Sequence, residues 1–110
     1  MKQYVVDEIR PSDFEAVRKY LDEHCQRQSI DDLYRIPLSE ALYSEIQKDH
    51  EDCQPFYFAV ELKTDALYTE LLVRSEKIIR CDCIAYATDT QRQWLMETID
   101  AVFEKLNVIT

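Results

Sequence analysis

The chain contains no glycine at any of its 110 positions. Glycine reaches positive φ more easily than any other residue, so tight turns that need this conformation must use a larger residue here. Loops that cradle phosphate groups also depend on glycine, because the backbone has to approach the ligand closely. The sequence therefore excludes the dinucleotide-binding fingerprint, the nucleotide P-loop and the glycine-rich loop of kinases.

The charge of the chain is strongly acidic, with 13 Lys and Arg residues against 22 Asp and Glu residues and a formal net charge of −9. Because such a chain repels phosphate backbones, and its basic residues are scattered, we expect no nucleic-acid binding. No apolar run approaches the ~18 residues of a membrane span, and no apolar leader precedes the first strand pattern. We therefore expect no membrane association and a cytoplasmic location, where thiols stay reduced.

The pattern of apolar residues predicts seven elements in the order β-α-α-β-β-β-α. Strands are predicted at residues 4–9, 56–62, 67–73 and 79–87, and helices at residues 13–25, 38–49 and 89–106. Short links join the last three strands and favour antiparallel pairing. With a hydrophobic fraction of 46%, we predict a single α+β domain over residues 1–110. Its antiparallel sheet has three or four strands, with helices packed on one face.

Two helix starts carry a capping-box pattern, Ser12 with Glu15 and Thr88 with Gln91. The second predicted helix is ambiguous, because its segment 41–46 (ALYSEI) nearly repeats segment 66–71 (ALYTEL) in a predicted strand. We interpret the first copy as helix and the second as strand. Local pattern alone does not decide between these states, since tertiary context selects them.

Residues 8–13 (EIRPSD), together with the order of the elements, resemble the beginning of the GCN5-type N-acetyltransferases. In that family a glycine-containing turn before a helix binds acyl-coenzyme A. The segment at the corresponding place here, residues 87–92 (ATDTQR), has no glycine. The resemblance thus implies a related fold without the cofactor loop. A small-molecule binder or a degenerate acyltransferase-like fold follows as one alternative function.

Four residues could form a zinc site. His50 and Cys53 make a His-x-x-Cys pair after the second predicted helix, and Cys81 and Cys83 make a Cys-x-Cys pair. Three thiols and one imidazole are enough for a closed tetrahedral site. A zinc-stabilised domain is therefore an alternative interpretation, with zinc as the only cofactor that the sequence suggests.

We favour a different interpretation of Cys81 and Cys83, as small residues of the core. In a regular strand they would lie ~6.6–6.8 Å apart, in phase with Ile79 and Ala85. Sulfur atoms that share a zinc ion at ~2.3 Å must converge more closely, which requires a tight turn. The segment from Ile79 to Ala87 has no glycine or proline to signal a turn, and buried cysteines commonly act as small hydrophobic residues.

The outward face of the predicted sheet is the second candidate site. Tyrosine and arginine are typical of protein interfaces, and this face combines them with carboxylates and aliphatic residues. If the strands pair as their short links suggest, Glu61 lies near Tyr68, Glu70 lies near Asp82, and Arg80 lies opposite Leu72. We expect no catalytic residues, because the arginines lie close enough to neutralise the carboxylates. The sequence therefore predicts protein association, as a homodimer or with an accessory partner, through Tyr57, Glu61, Tyr68, Glu70, Leu72, Arg74, Arg80, Asp82, Ile84 and Tyr86.

Overall fold

The structure, a computed structural model, describes residues 1–27 and 32–109. Its strands are β1 (Gln3–Val6), β2 (Gln26–Arg27), β3 (Leu33–Pro37), β4 (Phe56–Lys63), β5 (Ala66–Ser75) and β6 (Ala85–Tyr86). Its α-helices are α1 (Pro11–His24), α2 (Glu45–Asp49) and α3 (Asp89–Lys105), and 3₁₀ turns at Glu40–Leu42 and Glu51–Cys53 flank α2. The predicted α+β class is confirmed.

The sheet is antiparallel throughout and has six strands among the described residues, more than the three or four predicted. Their order is β1-β5-β4-β3-β2, with β6 pairing β5 as well. The central hairpin of β4 and β5 changes register along its length. Phe58 lies opposite Val73, but Val60 lies opposite Thr69, so β5 has two residues more than β4 over this stretch. An irregularity of this kind bends the strand and increases its twist. Side chains before and after the irregularity still point to the same faces of the sheet, because a shift by two residues preserves the alternation along the strand.

Both long helices cover the same face of the sheet, as predicted. The inward side chains of β4 alternate with the outward ones, as expected for a half-buried strand. In α3, Trp94 stacks on Phe58 with the ring centroids 6.2 Å apart. The core side chains from these three elements are Val17 and Leu21 of α1, Phe56, Phe58, Val60 and Leu62 of β4, and Leu95, Ile99 and Phe103 of α3.

Larger residues take the left-handed conformation in place of glycine. Glu8, Asp32 and Asn107 have φ values of 58°, 64° and 57°. Asn107 follows the last turn of α3 and donates its backbone N–H to the Glu104 carbonyl at 3.1 Å, while Val108 donates to the Phe103 carbonyl at 3.0 Å. These two bonds form a Schellman motif, in which asparagine is the usual substitute for glycine.

The helix starts agree with the predictions in one case out of two. Thr88 and Gln91 form the predicted capping box at the start of α3. At α1 the predicted box of Ser12 and Glu15 is wrong, because the helix already begins at Pro11. Proline fits the first helical position, since its missing N–H would have no intrahelical partner there.

The second predicted helix, residues 38–49, is mostly wrong. Only α2 is α-helical, because Tyr43 is extended and Ser44 begins the helix with its own capping box to Gln47. Tyr43 is instead buried edge-on against Phe56, with the ring centroids 5.1 Å apart. Ile46, which is spaced to share one helical face with Leu38 and Leu42, is 39% exposed. The helix interpretation of segment 41–46 therefore holds only for its last two residues, whereas the strand interpretation of segment 66–71 is confirmed.

The third strand of the predicted meander, residues 79–87, is also largely wrong. Only Ala85 and Tyr86 pair with β5, opposite Val73 and Leu72. Residues 76–84 form an irregular loop, which we call the cysteine loop, and Ile79 is 88% exposed. Within the described parts of the chain, no helix has both the length and the apolar character needed to cross a bilayer.

Candidate metal centre

Two tight turns hold the four candidate ligands. His50 and Cys53 begin and end one turn, in which the Cys53 backbone N–H donates to the His50 carbonyl at 3.0 Å. Cys81 opens the other turn, in which the Ile84 N–H donates to the Cys81 carbonyl at 3.0 Å. The geometric objection to a Cys-x-Cys site disappears, because the second pair lies in a turn and not in a strand.

The two turns face each other and bring the four side chains together. The ligand atoms of His50, Cys53, Cys81 and Cys83 all lie within 4.8 Å of one another. His50 Nδ1 is 3.1 Å from Cys81 Sγ and 4.0 Å from Cys53 Sγ. Bonds of ~2.3 Å from sulfur to a tetrahedral ion correspond to edges of about 3.8 Å between ligand atoms. The longest separations would contract by about 1 Å, and the 3.1 Å separation between His50 and Cys81 would lengthen by less than about 1 Å, to complete such a tetrahedron.

Burial differs among the ligands. Cys53 and Cys83 are buried, with 3% and 1% of their surfaces exposed, whereas Cys81 and His50 are half-buried. The cluster thus lies at the margin of the core, with one side toward solvent. An ion can reach such a position from water, yet most of its ligand shell is shielded.

Ser75, the last residue of β5, connects the His50–Cys53 turn to the start of the cysteine loop. Its hydroxyl donates to the Cys53 carbonyl and accepts hydrogen bonds from the backbone N–H groups of Lys77 at 3.0 Å and Ile78 at 3.1 Å. The serine is itself buried. It therefore fixes the start of the cysteine loop against the His50–Cys53 turn. The sequence analysis did not select this residue, because a lone serine at a strand end has no distinctive pattern.

The protonation of the three thiols is uneven. The backbone N–H of Cys83 and then its side chain stabilise the Cys81 thiolate, with a further contribution from His50, and lower the pKa of Cys81 to about 7. Burial, followed by the neighbouring Cys81 and Cys53 thiols, raises the pKa of Cys83 to about 12. Burial also raises the pKa of Cys53. A bound cation would favour all three thiolates, because metal binding displaces thiol protons.

The fourth cysteine lies apart from this cluster. Cys25 follows α1, and burial raises its pKa. Its neighbour His24 packs against Tyr20 in a tilted arrangement, with the ring centroids 4.2 Å apart. Cys25 therefore provides a natural control for the behaviour of an isolated thiol.

The predicted interface residues on β4 and β5 occupy the sheet face that the helices leave open. Glu61 lies opposite Tyr68, as predicted. Glu70 lies opposite Gln3 and pairs with Arg74 at 3.0 Å, so its predicted position beside Asp82 is wrong. Tyr57 also faces outward, but only 8% of its surface is exposed.

The remaining predicted interface residues belong to the third strand of the predicted meander, most of which is a loop in the structure. Tyr86, and not Arg80, lies opposite Leu72, and Tyr86 is 43% exposed. Arg80 and Asp82 are exposed in the cysteine loop, outside the sheet. Ile84 is half-buried and packs against the core. The predicted face is therefore divided between a strand part and a loop part.

The start of α3, where the resemblance to acetyltransferases places a cofactor turn, is occupied by side chains. Thr88 accepts from the Gln91 N–H at 3.2 Å, and Gln91 accepts in return from the Thr88 N–H at 3.1 Å. The buried Gln91 side chain also donates to Leu42 O and to Gln47 Oε1, at 2.9 Å each. This helix terminus thus uses its own side chain to satisfy a backbone donor that could otherwise bind an anion.

The chain matches no protein-family model, and comparison with curated proteins and with solved structures finds no significant similarity.

Proposed function

We propose that the chain is a zinc-binding domain whose ion is held by His50, Cys53, Cys81 and Cys83. The convergence of these four ligand atoms from two separate turns supports the proposal most directly. Core cysteines need no imidazole beside them, whereas a mixed set of thiolates and histidine is the usual environment of zinc.

The zinc ion would have a structural role. Four protein ligands close a tetrahedral site and leave no position for a reacting water molecule, unlike the open sites of zinc enzymes. The ion would hold the cysteine loop, which has no regular secondary structure. Thiolate ligands require reduced cysteines, which agrees with the cytoplasmic location that the sequence suggests.

Replacement of single ligands tests the zinc proposal. We expect the chain purified without chelator to contain one zinc ion per molecule by elemental analysis. Cys83→Ser should lower this content to below about a tenth, because a structural site needs its complete ligand set. Cys25→Ser should retain the full content, since Cys25 lies outside the cluster.

A second measurement tests metal binding independently of any metal that the protein loses or gains during purification. Titration of the chelator-treated protein with cobalt should give the intense visible absorption of a tetrahedral thiolate site at one equivalent. If Cys83→Ser binds metal as well as Cys25→Ser does, the four residues are not the ligands and the proposal is wrong.

We also propose protein association through the open sheet face as a second function. Apolar side chains remain accessible on this face, with Val5 39% and Tyr86 43% exposed beside the half-buried Leu72 and Tyr68. Neither long helix covers these residues. A second copy of the chain and an accessory protein are both compatible partners.

Charge substitutions test self-association. If the chain forms a homodimer through this face, Tyr68→Glu and Leu72→Glu should convert it to a monomer by light scattering, because buried carboxylates are costly. Ile46→Glu, at an exposed site on α2, is the matched control and should leave the dimer intact. A dimer that survives both sheet-face variants would exclude this face as the dimer contact.

A further inference from the structure

Two isoleucines are presented to solvent by the cysteine loop. Ile79 is 88% exposed and Ile78 is 37% exposed. The loop is tied at one end to Ser75 and at the other end to the turn that begins at Cys81. Single exposed aliphatic residues are ordinary on protein surfaces. Here, however, the two are adjacent and lie beside a groove.

The groove lies between the cysteine loop and the open face of the sheet and has a volume of about 190 Å³. Tyr57, Ile78, Ile79 and Ile84 supply its apolar lining. Pockets for small molecules usually measure about 300–1,000 Å³, so this groove is too small for a cofactor. Its size suits a side chain inserted from another polypeptide.

The groove is basic although the chain is acidic. Its charged lining consists of Arg35, Arg74, Lys77 and Glu76. Glu76 pairs with Arg35, and Glu70 pairs with Arg74 at 3.0 Å. Three cations thus stand against two carboxylates, whereas the whole chain has a net charge of −9. Lys77 has no ion pair within the described residues.

Arg35 is the most unusual of these cations. Its guanidinium lies 4.4 Å from the centre of the Tyr57 ring, and Nη1 pairs with Glu76 at 3.1 Å. Its buried Nε has no hydrogen-bond partner within the described residues. A buried donor without a partner is costly. The Arg35 side chain as a whole is 26% exposed, so a carboxylate that enters the groove can form a charge-assisted hydrogen bond with the exposed part of its guanidinium.

We propose that this groove binds an acidic peptide segment of a partner protein, with an aliphatic side chain inserted among the isoleucines. A carboxylate of the same segment binds Arg35 and Lys77. The inference rests on the proposed zinc site, because the ion holds the loop that carries Ile78 and Ile79. It narrows the proposed association surface to one end of the sheet face. The opposite charges of groove and peptide make the binding weaker at high salt.

Selection from a displayed library of random twelve-residue peptides tests the proposal. The zinc-loaded chain is the bait, and enriched peptides are measured by fluorescence polarisation. We expect enriched sequences that combine acidic with aliphatic residues. Ile79→Asp and Arg35→Met should each weaken binding about tenfold or more, as expected for central interface residues. Because Ile79 is almost fully exposed, Ile79→Asp should not disturb folding.

Two variants elsewhere serve as matched controls. Ile109→Asp changes another isoleucine that is 74% exposed, and Arg92→Met removes an arginine that pairs with Asp89 on α3. Each should change the affinity less than about twofold. Peptides of basic or neutral composition, or equal affinity for the groove variants and the controls, would overturn the proposal. Self-association abolished by Ile79→Asp would overturn it as well, because the groove would then bind a second copy.

Zinc removal separates this inference from the proposed function. If the chain binds zinc and a chelator then abolishes peptide binding, the ion and the groove are coupled. If the chain binds zinc but no selected peptide loses affinity in the groove variants, the docking proposal is wrong and the zinc proposal still stands. Groove-dependent peptide binding by a chain that binds no zinc overturns both the zinc site and the coupling.

Discussion

Glu8 shows at the level of one residue how the chain manages without glycine. Its φ of 58° lies in the left-handed region, which costs most L-residues about 1–2 kcal/mol. The position connects β1 to α1, and the following residue, Ile9, donates its N–H to the Asp65 carbonyl at 2.8 Å. Tertiary contacts therefore fix a conformation that the glutamate itself disfavours.

Glu8→Gly should stabilise the protein. The substitution removes the left-handed cost and adds a smaller entropic cost, so we expect the free energy of unfolding to rise by about 0.5–1 kcal/mol. Denaturant unfolding measures the change. Glu15→Gly, in the middle of α1, is the matched control and should lower it by about 1 kcal/mol. If both variants lower it, Glu8 is not under backbone strain.

At the scale of elements, the cysteine loop is the segment that the sequence pattern misrepresents. The alternation of Ile79, Cys81, Cys83 and Ala85 is a good strand pattern, yet the first three of these residues lie outside any strand. Strand propensity reflects packing against neighbouring strands, and here only Ala85 and Tyr86 have such a neighbour. The turn at Cys81 has no glycine, proline or asparagine to reveal it.

The cysteine loop should loosen when zinc is removed, while the sheet stays intact. In the proposed zinc-bound state the loop depends on the ion and on Ser75, whereas β4 and α3 are held by the hydrophobic core. Hydrogen exchange measured by mass spectrometry should therefore increase in residues 50–54 and 76–84 after chelation, and change little in α1 and β4. Equal acceleration across the whole chain would contradict a local role for the ion.

At the scale of the whole molecule, most of the architecture was predictable. The β4–β5 hairpin, α1, α3 and the single covered face follow from apolar periodicity, because burial of one face enforces that period. The order of the sheet was not predictable, since β1 pairs β5 across more than sixty residues and no local pattern specifies that pairing.

The candidate site was predictable only as a set of ligands. His50, Cys53, Cys81 and Cys83 stand out by residue type, but their convergence depends on how β5 ends and where Ser75 binds. The groove was harder to predict, because Arg35 lies on β3 and its guanidinium contacts the Tyr57 ring on the neighbouring strand β4. Both features arise from contacts between segments that lie far apart in the sequence.

X-ray absorption at the zinc edge tests the central claim most directly. For the purified chain loaded with one equivalent of zinc, we predict a first shell of three sulfur atoms at about 2.3 Å and one nitrogen atom at about 2.0–2.1 Å. A shell of oxygen and nitrogen alone, or one with fewer than three sulfur atoms, would contradict the assignment of His50, Cys53, Cys81 and Cys83 as the ligands.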